Sequence, residues 1–357
     1  MKRRIMTLGV LMGCGPLWGA TSGTLDGKLQ WVTPDFFIQT TDHKIIKENK
    51  LGDENCREKI SKVVCLVDPV NEGDMTQLRP CLAGGQTYAK PFQDLYDHLP
   101  QAIQKMFCSL SNLYIEKELV PTAYAGLSRD SQGNVSGAVM GIRKSLLDER
   151  LTLAHWASWK EQLSFGGSKD VLTVAPDLPW ILTESDSSVY DLLYVVVTHE
   201  FGHLFDFSNH LNKKLSCTKD PNDPEDEICE MAPESFGAIS WKTTHSPRPE
   251  NEFLNRNRLC FYRCENGTIN RNEINDLYRN FYEKTNFISL YSTTQPWDDL
   301  ADSMAYYLMA SQIHATYKID TKQGVVWDMM QKLRSNQFLP KVQYLENFLK
   351  RDDIQYP

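Results

Sequence analysis

The sequence predicts an α+β fold: a mixed sheet, one apolar helix laid against it, and a helical C-terminal half. Three observations carry this. Apolar residues recur at helical spacing from Leu192 to Leu204 and again from Leu300 to Met309. A strand–turn–strand pattern spans Tyr124 to Ile142. The 357 residues are 41% apolar and 11% aromatic, enough to fill a large core.

Taken in order, the chain opens on an export signal over residues 1–20. Lys2, Arg3 and Arg4 precede an apolar run from Ile5 to Leu17, and small residues follow at Gly19, Ala20, Thr21 and Ser22. Leu11-Met12-Gly13-Cys14 resembles a lipobox, so a lipoprotein signal over 1–13 with a lipid anchor on Cys14 competes with ordinary cleavage near Ala20. The expected location is outside the inner membrane, periplasmic or extracellular, or lipid-anchored in the outer membrane. No stretch approaches the roughly 18 apolar residues of a transmembrane helix. Residues 21–90 read as a cysteine-containing N-terminal region, and 91–357 as the main domain.

Within that domain, Ile103, Phe107, Leu110, Leu113 and Tyr114 predict one helix from Leu99 to Leu119. Tyr124–Leu127 and Val135–Ile142 predict a hairpin turning at Arg129–Asn134, and Val171–Val174 a short strand. Gly137–Ile142 is the expected sheet edge along which an extended substrate would pair. Ser187 or Ser188 is the expected N-cap of the next helix, in which Leu192, Leu193, Val196, Val197, Phe201 and Leu204 face the core. A polar insertion occupies 210 to 280. The last predicted helix runs from Pro296 to Ile313, with proline in its first turn.

The net charge is −8, and it becomes more acidic by three charges if Lys2, Arg3 and Arg4 leave with a signal. With no basic stripe, nucleic acid and anionic membranes are excluded as partners. Without Cys14 the cysteines form an even set, as disulfides in an oxidising compartment require. The expected pairs are local: Cys56–Cys65, Cys81–Cys108, Cys217–Cys229 and Cys260–Cys264. No CxxC spacing suggests a cysteine metal site.

The chemistry concentrates in His199-Glu200-Phe201-Gly202-His203, an H-E-x-x-H pattern. Residues four apart share one helix face, so both imidazoles can reach one ion, which this motif implies is zinc. Glu200 lies about a hundred degrees round the helix, near the metal but free to deprotonate an attacking water. A catalytic zinc needs a third protein ligand. Tyr291 to Ser303 offers Asp298 and Asp302, four apart, one able to bind metal and the other to orient a ligand histidine. The acidic run Asp220, Asp223, Glu225, Asp226 and Glu227 has the oxygens to bind calcium but fits no EF-hand loop, and a solvated loop is the preferred reading. His210 and His245 read as surface residues; packing or exposure accounts for Tyr306, Tyr307 and His314.

These two segments resemble the gluzincin metallopeptidases, and more closely their lethal-factor-like members, whose second segment often reads Y-x-x-x-x-P-x-E-D-F-A-E-S-F. Here it holds Tyr291, Pro296, Asp298, Asp299, Leu300, Ala301, Asp302 and Ser303. The resemblance spans about thirty residues directly. It implies a zincin-like fold and a Zn2+ cofactor held by His199, His203 and Asp298. It further implies Glu200 as base, Tyr291 as hydrogen-bond donor to the oxyanion, and Asp302 behind a ligand histidine. Both family glutamates are aspartates here, one methylene shorter. The second helix must therefore sit closer to the first, or Asp299 ligates instead. The implied activity is endopeptidase-like hydrolysis of a protein or peptide. An inactive zincin-fold binding or cell-envelope protein, or a zinc hydrolase of a non-protein cell-wall substrate, are the competing readings.

Overall fold

A computed structural model of the chain describes residues 55–68, 81–119, 121–129, 135–185, 187–221, 223, 226–261 and 269–357. It also describes the backbone of three short strands nearer the N-terminus, β1 (Ala20–Ser22), β2 (Gln30–Val32) and β3 (Phe37–Gln39). The expected signal core, Cys14, Cys264, Glu225 and the tip of the predicted hairpin lie outside the described residues.

The architecture is mixed α and β. Five strands form the main sheet in the order β3-β6-β7-β5-β4, with β4 at Val64–Val67, β5 at Leu110–Glu116, β6 at Ala123–Arg129 and β7 at Val135–Arg143. Strands β6 and β7 are antiparallel, whereas β5 runs parallel to both β7 and β4, so the sheet is mixed. β1 and β2 pair with each other. A three-stranded sheet joins β8 (Trp180–Leu182), β11 (Lys318–Asp320) and β12 (Val326–Asp328). Strands β9 (Lys214–Lys219) and β10 (Glu227–Met231) make a hairpin with Cys217 directly opposite Cys229.

Four expectations are corrected here. The segment from Leu99 to Leu119 is not one helix: a helix at Gln101–Cys108 ends at Ser109 and β5 follows. Every residue of β5 is buried, Ser111, Asn112 and Glu116 included, so no in-out alternation marks it, and its Leu110, Leu113 and Tyr114 fall at helical spacing instead. Strand β7 is not an edge, since β6 and β5 flank it. Residues Val171–Val174 form a turn, because Asp170 takes the backbone N–H of Leu172 on its carboxylate and that of Thr173 on its carbonyl. The first two expected cysteine pairs are exchanged: the disulfides are Cys56–Cys108 and Cys65–Cys81. The first clips the helix Cys56–Val63 to the end of Gln101–Cys108, and the second ties down β4. Cys217–Cys229 forms as expected, and Cys260 is also disulfide-bonded; the expected partner Cys264 lies outside the described residues.

The helix Asp191–Asn209, here called the histidine helix, is buried nearly all round. It packs against β6, against Gln101–Cys108 and against the helix Pro296–Gln312, the aspartate helix. A helix apolar on every side belongs in the interior. Its N-terminus is not capped by Ser187 or Ser188. Ser187 spends its hydroxyl on the N–H of Val189, and the helix begins after Tyr190 with Asp191 in its first turn.

The crossing of these two helices sets the site. A Cβ on Gly202 would stand 2.6 Å from the Ala301 Cα, so only glycine permits this approach. Gly202→Ala is expected to force the helices apart, costing about 1–3 kcal/mol and the metal-binding geometry together. Thermal melting with metal titration checks this; unchanged metal affinity would show that the crossing has slack.

Candidate metal centre

One face of the histidine helix presents His199 and His203, whose Nε2 atoms approach to 3.2 Å. Two nitrogens bound to one tetrahedral zinc at about 2.0–2.1 Å stand roughly 3.3–3.4 Å apart, so this spacing fits such an ion. The Asp298 Oδ1 lies 3.7 Å from the His203 Nε2. His199, His203 and Asp298 thus form a buried group whose ligand atoms lie within 4.8 Å of one another and could hold a metal ion.

The aspartate helix opens at Pro296, which places Asp298 in its first turn and Asp302 one turn on. Asp302 Oδ1 accepts the Nδ1–H of His199 at 2.7 Å, which leaves the Nε2 lone pair facing His203. Its other oxygen accepts the hydroxyl of Ser289. Burial works to raise the Asp302 carboxyl, but the neighbouring His199, Lys160 and Ser289 outweigh it and hold the group below its ordinary range. Asp298 accepts the Thr294 hydroxyl at 2.9 Å and a hydrogen bond from Tyr291. Burial pushes its carboxyl up to about 7, against both hydrogen bonds. A cation beside it would reverse that pressure. Burial, and then the adjacent His199 ring, holds His203 well below the usual imidazole range, in the neutral form a ligand needs.

Asp299 points elsewhere. It is fully buried, accepts Lys341 Nζ at 2.5 Å and the Trp241 indole N–H at 3.1 Å, and so serves a buried ion pair. Of the two neighbouring acids, it is Asp298 that groups with the histidines among the described residues.

Glu200 is 3% exposed, and its Oε2 has no hydrogen-bond partner among the described residues. Burial raises its carboxyl well above the usual range; Lys160 opposes this, and Asp298 and Asp302 add to it. A desolvated carboxyl beside residues that could hold a metal ion suits a general base, whose proton affinity must approach neutrality. Tyr291 stands in a 3-10 turn at Tyr291–Thr293, its ring 6.0 Å from that of His199 and edge-on to Phe261 at 5.2 Å.

A cleft of about 610 Å³, part of it open to solvent, adjoins this group. His199, Glu200, Tyr291 and Asp302 line one side, and Trp156, Lys160 and Glu161 from the helix Leu153–Gln162 line another. Tyr306 touches the cleft as well, but it is buried in the core against Tyr317, so packing accounts for it as expected. Lys160, Glu161, Ser289 and Tyr317 had no sequence signal: each is a single common residue, brought to the cleft only by folding.

Glu161 is buried and accepts the Tyr278 hydroxyl at 2.7 Å; burial raises its carboxyl to about 7. A carboxyl raised on folding stabilises fully below its unfolded value and loses that contribution as pH rises through the folded value. Between pH 4.5 and 8 the wild type is therefore expected to lose on the order of 2–3 kcal/mol relative to Glu161→Gln. Chemical denaturation of both proteins across that range measures it; parallel pH profiles would refute it.

His210 is exposed, at the C-terminal end of the histidine helix. His245 lies between two acids of the run read as solvated, 3.1 Å from Asp226 and 3.6 Å from Asp220, so those acids are partly engaged. Cys217, Glu227 and Cys229 also cluster, but both sulfurs are spent in the disulfide. No family model, curated protein or solved structure matches this chain.

Proposed function

We propose that the chain is an exported zinc metallopeptidase, cleaving within proteins or peptides by attack of a Glu200-activated water. The observation that carries this reading is the convergence of His199, His203 and Asp298 beside the unpartnered carboxylate oxygen of Glu200. Two imidazoles and a carboxylate are a donor set that zinc accepts with a position left for water.

His199 and His203 would hold the metal through Nε2, and Asp298 through a carboxylate oxygen. When bound, zinc acidifies water and polarises the substrate carbonyl. Glu200 holds the attacking water and takes its proton, then passes that proton to the leaving amine. Tyr291, released from Asp298, donates its phenolic hydrogen to the oxyanion of the tetrahedral intermediate. Asp302 keeps His199 in the Nδ1–H tautomer throughout.

Export agrees with the disulfides, which belong to an oxidising compartment. Among the described residues no helix is long and apolar enough to cross a membrane.

The test is metal dependence. The purified protein should contain about one zinc per chain by elemental analysis and should cleave casein or members of a random peptide library. Chelation should abolish cleavage, and stoichiometric zinc should restore it. Cleavage that survives complete metal removal, or no cleavage by the zinc-loaded protein, would overturn the reading.

A further inference from the structure

The same cleft carries one feature that zinc chemistry does not require. Among the residues lining it, Lys160 is the only lysine or arginine. Its ammonium lies 3.5 Å from the ring centroid of Tyr291 and 5.2 Å from that of Trp156. No described carboxylate pairs with it directly; burial lowers its pKa, and Asp302, Asp298, Glu161 and Glu200, acting from further away, oppose that and favour the ammonium. Aromatic faces attract a cation without consuming its three N–H donors, so Lys160 keeps its hydrogen-bonding capacity and its direction. The remaining wall is largely apolar, including Pro121, Ala123, Ala157, Val195 and Val196. In such a setting an ion pair is worth more than at the open surface.

We propose that Lys160 is the substrate-recognition cation of this cleft, receiving a carboxylate of the peptide close to the scissile bond. His199 and Glu200 line the same cleft, so the carboxylate belongs to the substrate within a residue or two of the bond cleaved. Two sources share that chemistry, an acidic side chain and a free C-terminus. The inference rests on the peptidase reading for its setting, but its binding component can be measured without turnover.

The experiment uses short alanine- and leucine-based peptides in matched pairs. One series carries Glu or Gln at each position in turn, and the other ends as the free acid or the amide. For one series the zinc-loaded wild type should favour the carboxylate member at least about tenfold in kcat/KM, chiefly through KM. The series that shows the preference identifies the source. Lys160→Met should bring that ratio to within about twofold of unity, and Lys160→Arg should recover part of it. No preference in the wild type, or a preference that survives Lys160→Met, overturns the proposal. So does an equal fall in kcat for both members with the ratio intact, which would assign the ammonium to the oxyanion instead. Calorimetric binding of the same pairs to Glu200→Gln, and to Glu200→Gln carrying Lys160→Met, separates the two readings. Carboxylate-selective binding lost with Lys160 upholds this inference even if nothing is hydrolysed. Hydrolysis without selectivity upholds the peptidase reading and overturns this one.

Discussion

Replacing Glu200 with glutamine is expected to leave zinc bound while peptide hydrolysis falls by roughly 10³-fold. The atoms that could hold the metal belong to His199, His203 and Asp298, so this substitution leaves that group untouched. Glutamine keeps the shape of glutamate but cannot accept a proton from water. A second readout moves the other way. Glu200 is a buried carboxyl with an unpartnered oxygen, raised by burial well above its usual range. A neutral amide removes the cost of burying charge at pH 7 and above, so the variant is expected to melt higher than the wild type when both are metal-free. Loss of activity with gain of stability marks a functional residue held in an unfavourable setting. Full activity in the Glu200→Gln protein would end the peptidase proposal.

The second large effect separates two adjacent aspartates that sequence cannot. Asp298→Ala removes a ligand, so zinc affinity should drop by more than about 100-fold, beyond what outer partners contribute. The metal-free protein should lose little stability, because Asp298 is an acid pushed up to about 7 by burial, with two hydrogen-bonding neighbours able to re-pair. Asp299→Ala should do the reverse. It strands Lys341, whose side chain is fully enclosed, without its countercharge. Breaking such a pair costs about 3–5 kcal/mol, whereas replacing both partners with apolar residues costs far less. Asp299→Leu with Lys341→Met should accordingly recover most of the stability lost by Asp299→Ala alone. Urea denaturation of metal-free proteins and zinc competition titrations together read both effects. Equal loss of zinc affinity in the two single variants, with folding intact, would return Asp299 to the ligand set.

Legibility followed the physics of each segment. The β6–β7 hairpin was readable because its strands are bounded by strong turn residues. The aspartate helix was readable because Pro296 marks its first turn and apolar residues recur along it. Where burial is complete, the pattern disappears. Strand β5 buries polar Ser111, Asn112 and Glu116 along with its apolar residues, so no alternation sets it apart from the helix before it, and only the tertiary fold shows that Ser109 divides them. The cysteines fail for a different reason: Cys56 pairs with Cys108 across 52 residues because the Cys56–Val63 helix packs back on the sheet, not because the two are near in sequence. Ser187 has the residue type of a cap, but a local turn to Val189 uses the same hydroxyl.

The sequence by itself determined the His199–Glu200–His203 unit, because four-residue spacing on a helix places two imidazoles on one face whatever surrounds them. It also brought Asp298 and Asp302 into phase with one another for the same reason. Tertiary structure decided the rest. The Gly202–Ala301 contact lets the two helices close far enough for Asp298 and Asp302 to reach the histidines. The direction of each side chain relative to that contact sends Asp298 toward His203 and Asp299 toward Lys341. Folding alone brings Lys160 over Tyr291, from a helix more than a hundred residues away in the chain. Helical periodicity is local, so it can be read from spacing. Which faces meet depends on how the whole core packs.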